Sequence, residues 1–150
     1  LRAEVAWAGT DGEARDLGRE WVAVCRSADP AVAVVLGGGE ATVTVRGNGV
    51  GGRNTEFALA AAIALADGGD PGWVVASLAT DGQDGPTGAA GAIADADSVR
   101  RARTAGIDPE QALDDNDSAT VFAVSRSLVL PGPTGTNVCD LYMGVRVSAD

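Results

Sequence analysis

The sequence contains no histidine and no lysine, so every one of its eleven basic side chains is an arginine. Without imidazole there is no proton shuttle that titrates near neutrality and no Cys/His zinc site. Without an amine, the chain cannot supply a Schiff-base nucleophile or the lysine of a G-x-x-x-x-G-K-[ST] phosphate loop. Any acid–base step must use Asp or Glu. Cysteine is scarce as well: Cys25 falls in a helical pattern and Cys139 in a loop, and neither has an imidazole to activate it as a nucleophile. Aromatic residues make up 4% of the chain, and Trp7, Trp21 and Trp73 are too scattered for a stacking platform, so packing roles are expected for them. The longest apolar-rich stretch, Phe57 to Ala66, falls well short of the roughly 20 residues that cross a bilayer. No basic segment followed by an apolar one opens the chain. A soluble, cytoplasmic protein is the expectation.

What is present is acidic. A net charge of −10 argues against nucleic acid or an anionic membrane as a partner. The 150 residues suffice for one sizeable core, and no shift in composition divides them. One domain is expected, with residues 1–30 as a leading helix and 31–150 as an α/β body. Opening on Leu1 and passing directly into a helical pattern, the chain reads as a domain cut from a longer polypeptide.

Ala14, Leu17, Trp21, Val24 and Cys25 recur at helical spacing between Gly12 and Ala28. The run Ala31 to Leu36 reads as a buried strand, and the alternation from Ala41 to Arg46 as a half-buried one. A helix is predicted from about Asn54 to Ala66, then a strand from Trp73 to Ala79. Short helices follow at Ser98–Ala105, Pro109–Leu113 and Ser118–Val124, with strands at Ser127–Leu130 and Leu141–Val147. Alternating helices and buried strands predict an α/β fold, a three-layer α/β/α domain with a mostly parallel central sheet. In it, Val32, Val34, Leu36, Val43, Val45, Val74, Ala76 and Leu78 would face helices.

Gly47, Gly49 and Gly52 form G-x-G-x-x-G between a predicted strand and a predicted helix. That context suits phosphate, because glycines let amides approach an anion at a helix start, and it suits a plain tight turn equally. A dinucleotide fold also needs an acidic residue at the end of the next strand. Asp67 and Asp70 come too early for that and Asp81 too late. Arg53 follows the glycines directly; it could clamp a carboxylate or phosphate, or pair with Glu40 or Glu56. Asp81 and Asp84, on the turn Thr80 to Thr87, could share Mg²⁺ with substrate phosphates or simply fold the turn. Pro131 to Asn137 offers Thr134, Thr136 and Asn137 to a phosphate or polyol, or is turn chemistry alone.

In order along the chain stand Gly38-Gly39-Glu40-Ala41-Thr42-Val43-Thr44-Val45, Gly51-Gly52-Arg53-Asn54-Thr55-Glu56-Phe57-Ala58-Leu59, Thr80-Asp81-Gly82-Gln83-Asp84-Gly85-Pro86-Thr87 and Gly132-Pro133-Thr134-Gly135-Thr136-Asn137. Together they resemble the MOFRL domain, the C-terminal part of two-domain glycerate 2-kinases. The resemblance implies ATP-dependent phosphorylation of D-glycerate to 2-phosphoglycerate with Mg²⁺. It places the site in a cleft against an N-terminal Rossmann-like domain, absent from this chain, that contributes a lysine, and it leaves room for a homodimer. Carried over, it makes Arg53 and Asp81 catalytic, and puts Gly47, Gly49, Gly52, Asn54, Glu56, Thr134, Thr136 and Asn137 at substrate or phosphate. Asp81 and Asp84 would hold the metal. The family more often has a basic residue at Asn48, Gln at Thr55, Asp at Gly88 and Asn at Cys139. Two other functions stay open: a non-catalytic ligand-binding or interaction module, and the hydroxypyruvate reductase label some relatives carry, which the missing nicotinamide signature disfavours.

Overall fold

A computed structural model describes residues 1–68 and 72–147; Asp70 lies outside them. Six strands, β1 (Arg2–Glu13), β2 (Val32–Thr42), β3 (Trp73–Ala79), β4 (Gly91–Ala94), β5 (Leu128–Val129) and β6 (Asp140–Arg146), form one sheet in the order β1-β2-β6-β3-β4-β5. The helices among the described residues are α1 (Ala14–Ser27), α2 (Arg53–Asp67), α3 (Ser98–Thr104), α4 (Pro109–Asp114) and α5 (Ser118–Val124).

The α/β class is as expected, but the strand directions need correcting. Only β1 and β2 run parallel; the pairings of β2 with β6, β6 with β3, β3 with β4 and β4 with β5 are antiparallel. The reason is β6: the last strand inserts between β2 and β3 and runs against both.

Helix α2 is apolar on nearly every side, and a helix of that kind must be central. From Asn54 to Ile63 every residue is buried. One side of α2 meets α1, where Gly18 allows the crossing: a Cβ there would stand 2.2 Å from the Phe57 carbonyl oxygen. Trp21, Val22 and Cys25 of α1 join Phe57, Val35, Val75 and Tyr142 in one core cluster, with Phe57 stacked on Tyr142 at 4.5 Å. Leu59 and Ile63 join Ala92, Val99, Leu113 and Phe122 in a second.

The face of the sheet beneath α1 and α2 carries Val35, Gly37, Tyr142, Gly144, Val75 and Ser77; a Cβ on Gly144 would meet the Cys25 sulfur at 2.3 Å. Leu36, Met143, Ala76 and Ile93 register on the opposite face. Of the strand residues expected to face helices, Val32 is fully buried, while Val34, Leu36, Val74, Ala76 and Leu78 are half-buried and Val45 is 76% exposed. Residues 43–46 form no strand because their polar groups turn elsewhere: Thr44 bonds Glu13, and the Arg46 amide donates to Asn116. Instead β2 runs straight through Gly37, Gly38 and Gly39. There a Cβ on Gly37 would press the Trp21 ring at 2.9 Å and one on Gly39 would meet the Thr10 carbonyl at 1.9 Å. The leading helix is preceded by strand β1, and β4 is likewise a strand absent from the sequence reading.

Antiparallel register aligns Gly39, Asp140 and Ala79 across three strands. The carboxyl ends of β2 and β3, the start of β6 and the start of α2 thus converge at one end of the sheet.

Candidate functional site

Helix α2 begins where an anion is favoured, since its first amides have no partner within the helix. The anion found there is intramolecular. The Asn54 amide donates to Asp84 Oδ1 and the Thr55 amide to Oδ2, each at 2.8 Å, and the Thr55 hydroxyl adds a bond at 2.9 Å. Asp84 is fully buried. Burial pushes its carboxyl above the usual range, and the donors from Asn54 and Thr55 pull it partly back. Gly52 is required beside it, because a Cβ there would collide with the Asp84 carboxylate at 2.4 Å. In this arrangement both Asp84 oxygens are engaged as the cap of α2.

The amides of the glycine-rich loop are likewise engaged within the chain. The Gly47 amide donates to Asn116 Oδ1, the Asn48 amide to Asp115 Oδ1, the Gly49 amide to the Asp115 carbonyl, the Val50 amide to Asp117 Oδ1 and the Gly52 amide to Thr55 Oγ1. These glycines are needed for close approach of the Asp115–Asp117 segment, with Cβ positions at Gly47 and Gly49 only 2.1 and 2.3 Å from it. Their amides are not free for phosphate in this arrangement. Glu56 also turns inward, 1% exposed, accepting from Arg15 Nε at 3.0 Å and Asn116 Nδ2 at 2.9 Å.

Arg53 opens α2 and remains partly exposed, its side chain 26% accessible. Its Nε and Nη2 donate to Asp140 Oδ2 and Oδ1 at 2.7 and 2.8 Å, a bidentate pair. That hydrogen bonding raises the arginine further above its already high value. Among the described residues, no hydrogen bond engages Nη1. Asn54 lies just inside, fully buried, donating to Asp140 Oδ1 at 3.0 Å and accepting from Ser77 at 2.6 Å. Its amide group is spent on holding other groups.

The two remaining loops pack on each other beside this cluster. The Thr134 amide donates to the Asp81 carbonyl and its hydroxyl to the Thr80 carbonyl, while the Thr80 amide and hydroxyl both donate to the Cys139 carbonyl. Gly82 makes the approach feasible, since a Cβ there would stand 2.1 Å from the Gly132 carbonyl oxygen. Asp81 Oδ1 accepts from the Gln83 amide, and Oδ2 takes no hydrogen bond among the described residues. Thr136 and Asn137 are exposed, and Asn137 Oδ1 accepts from the Cys139 amide. Cys139 itself sits at φ 67, in the left-handed region that Asn tolerates better than Cys. Arg53, Asn54, Asp81 and the Thr134–Asn137 loop are therefore brought to one end of the sheet, while Glu56, Gly47 and Gly49 serve the network around Asn116.

Whether Mg²⁺ fits can be judged from the donors. Among the described residues no group of three or more Asp, Glu, Cys or His side chains could hold a metal ion. With Asp84 engaged, Asp81 is the one expected ligand that keeps a free oxygen, which is too few for a protein cage and enough only for a cation shared with phosphate oxygens.

Sequence reasoning missed Asp140, Ser77 and Asn116. Asp140 follows the Thr134–Asn137 motif closely, but reads as the polar start of a strand; only the strand pairing reveals that it meets Arg53.

The profile of the MOFRL family matches residues 33–140, and this chain belongs to that family. Its relatives include the D-glycerate 2-kinase of Thermotoga maritima, 43% identical over 98% of this chain and 36% of the relative. A protein of Agrobacterium vitis that bears a hydroxypyruvate reductase name is 46% identical over 87% of this chain and 31% of its own length. Among solved structures, a glycerate kinase from Thermotoga maritima superimposes with a TM-score of 0.91 at 43% identity, covering 98% of this chain and 36% of the other. A Pyrococcus horikoshii protein gives 0.90 at 34% identity, over 99% and 35%. This chain thus spans about a third of the length of these relatives. No helix among the described residues is long and apolar enough to cross a membrane.

Proposed function

We propose that this chain is the C-terminal part of a glycerate 2-kinase and forms one wall of an interdomain cleft, where D-glycerate is phosphorylated by ATP to 2-phosphoglycerate. The observation that carries the reading is Arg53: a partly exposed guanidinium, clamped at the start of α2 with one end of its fork unengaged. Phosphoryl transfer depends mainly on positioning and on neutralising charge, so an arginine of this kind is a suitable contact for glycerate carboxylate or phosphate. Asp81, with its unengaged oxygen, is placed to receive the proton of the 2-hydroxyl. Thr134, Thr136 and Asn137 line the same end and suit a polyol. When bound, Mg²⁺ would supply charge neutralisation at the phosphates; Asp81 would be this half's contribution to it in place of accepting the proton.

Electrostatics favours half a site over a whole one. Arg53 lies in the field of Asp140, Asp84 and Glu40, and no lysine exists in the chain. An anionic substrate needs further cations, and the expected N-terminal Rossmann-like domain with its lysine would supply them. A cytoplasmic location fits an enzyme that draws on cellular ATP.

The test is an ADP-coupled assay with D-glycerate, run on this chain alone and on the polypeptide that joins it to its upstream domain. Glycerate-dependent ADP release is expected from the joined protein only. Turnover by the chain alone would overturn the half-site reading. Nicotinamide-dependent reduction of hydroxypyruvate, or no turnover with retained ligand binding, would favour the reductase or the binding module respectively.

A further inference from the structure

We infer that Asp140 is the positioning residue of this site: it takes the Nε/Nη2 edge of Arg53 and leaves the Nη1 end of the fork to meet an anion. The inference rests on the reading that Arg53 contacts substrate.

The geometry separates this role from two others. Asp140 is not placed to exchange protons with a substrate, because its side chain is 0% exposed and both oxygens are occupied, Oδ2 by Arg53 Nε and Oδ1 by Arg53 Nη2 and Asn54 Nδ2. Nor does the pair resemble a salt bridge sealed for stability alone. Arg53 keeps about a quarter of its side chain accessible, and Nη1 makes no hydrogen bond among the described residues. A planar guanidinium has two edges that can each engage an oxyanion in bidentate fashion. Asp140 fills the side edge, so an incoming carboxylate or phosphoryl group is directed to the other.

Asp140 can fix an arginine because it is itself fixed. It begins β6, in register between Gly39 of β2 and Ala79 of β3, in the middle of the sheet. Asn54 bonds it at 3.0 Å, and Ser77 of β3 holds Asn54 in turn at 2.6 Å. The chain Ser77–Asn54–Asp140–Arg53 ties the guanidinium to three rigid elements, which is how supporting residues hold a reactive group within the tolerance that chemistry requires.

The experiment is a double-mutant cycle in the joined, full-length polypeptide: parent, Asp140→Asn, Arg53→Ala and the double variant, with kcat and KM for D-glycerate measured separately. Asp140→Asn is expected to lower kcat/KM at least ~10-fold, through whichever of kcat or KM Arg53→Ala moves. In the Arg53→Ala background it should add less than about threefold, because the group it positions is gone. An Asp140→Asn protein within threefold of the parent, beside an impaired Arg53→Ala protein, would overturn the inference and leave the reading of Arg53 standing. Independent, multiplying losses would overturn it as well, assigning Asp140 a role of its own. Full activity of Arg53→Ala would remove both. Should Asp140→Asn fail to fold, the parent still decides: its Arg53 Nε–H resonance, identified by its loss in Arg53→Ala, should be protected from solvent exchange with and without D-glycerate. Free exchange of that proton would contradict the clamp.

Discussion

Asp84 and Thr55 are joined twice, through the Thr55 amide at 2.8 Å and its hydroxyl at 2.9 Å, so that a loop carboxylate thirty residues from Asn54 in sequence closes the start of α2. A carboxylate accepting amides at a helix N-terminus is stabilising, and removing a cap costs about 0.5–2 kcal/mol, more when buried donors lose their partner. Asp84→Ala is expected to lower unfolding free energy by roughly 2–3 kcal/mol in denaturant titrations. A variant as stable as the parent that had lost Mg²⁺ dependence would instead restore Asp84 to the metal.

Tyr142 is the sole tyrosine. It is fully buried against Phe57 and Trp21. Burial pushes its phenol from 10.0 up to about 12. The folded state therefore prefers the neutral phenol; this stability is fully present below pH 10.0 and is lost as pH rises through about 12. Stability measured from neutral to strongly alkaline pH should fall across that window, with the phenolate absorbance appearing at the same point. Tyr142→Phe should flatten the decline. Ionisation at the ordinary pH without loss of stability would show that the ring is open to solvent.

The two thiols should differ sharply. Cys25 is buried between α1 and β6, and burial raises it to about 12, whereas Cys139 is exposed. Thiolate is the reactive species, so a thiol reagent near neutral pH should label Cys139 promptly and Cys25 only on unfolding. Rapid labelling of both in the native protein would contradict the packing of α1 on the sheet.

Much of the fold could be read from the residues because it depends on local pattern. The apolar face of α1, the apolar run Phe57 to Ala66 of α2 and the buried strand β3 all fall within a few residues of their predicted bounds. Strand β1 could not be read, because register shifts after Arg2, Val5 and Ala8 break the alternation that would mark it. Strand direction was equally hidden: nothing between Ser127 and Val147 announces that β6 inserts between β2 and β3. The site followed the same division. Arg53 at a helix start was legible from its glycines, but the close approach of those glycines to Asp115–Asp117 and Asp84 was not. The anion that the helix start called for proved to be Asp84, and the partner of Arg53 proved to be Asp140, 87 residues away.

The central claim is that Arg53 is the cation this half contributes to the cleft, and its most direct test is kcat/KM for D-glycerate in the full-length polypeptide carrying Arg53→Ala. The loss should be at least ~10²-fold, about 2.7 kcal/mol, as when one charge-stabilising donor is removed from a transition state. Lysine at the same position should recover only part of it, because a point charge cannot hold Asp140 and an oxyanion by two edges. A folded Arg53→Ala protein that turns over within a few fold of the parent would contradict the account and reduce the Arg53–Asp140 pair to a structural salt bridge.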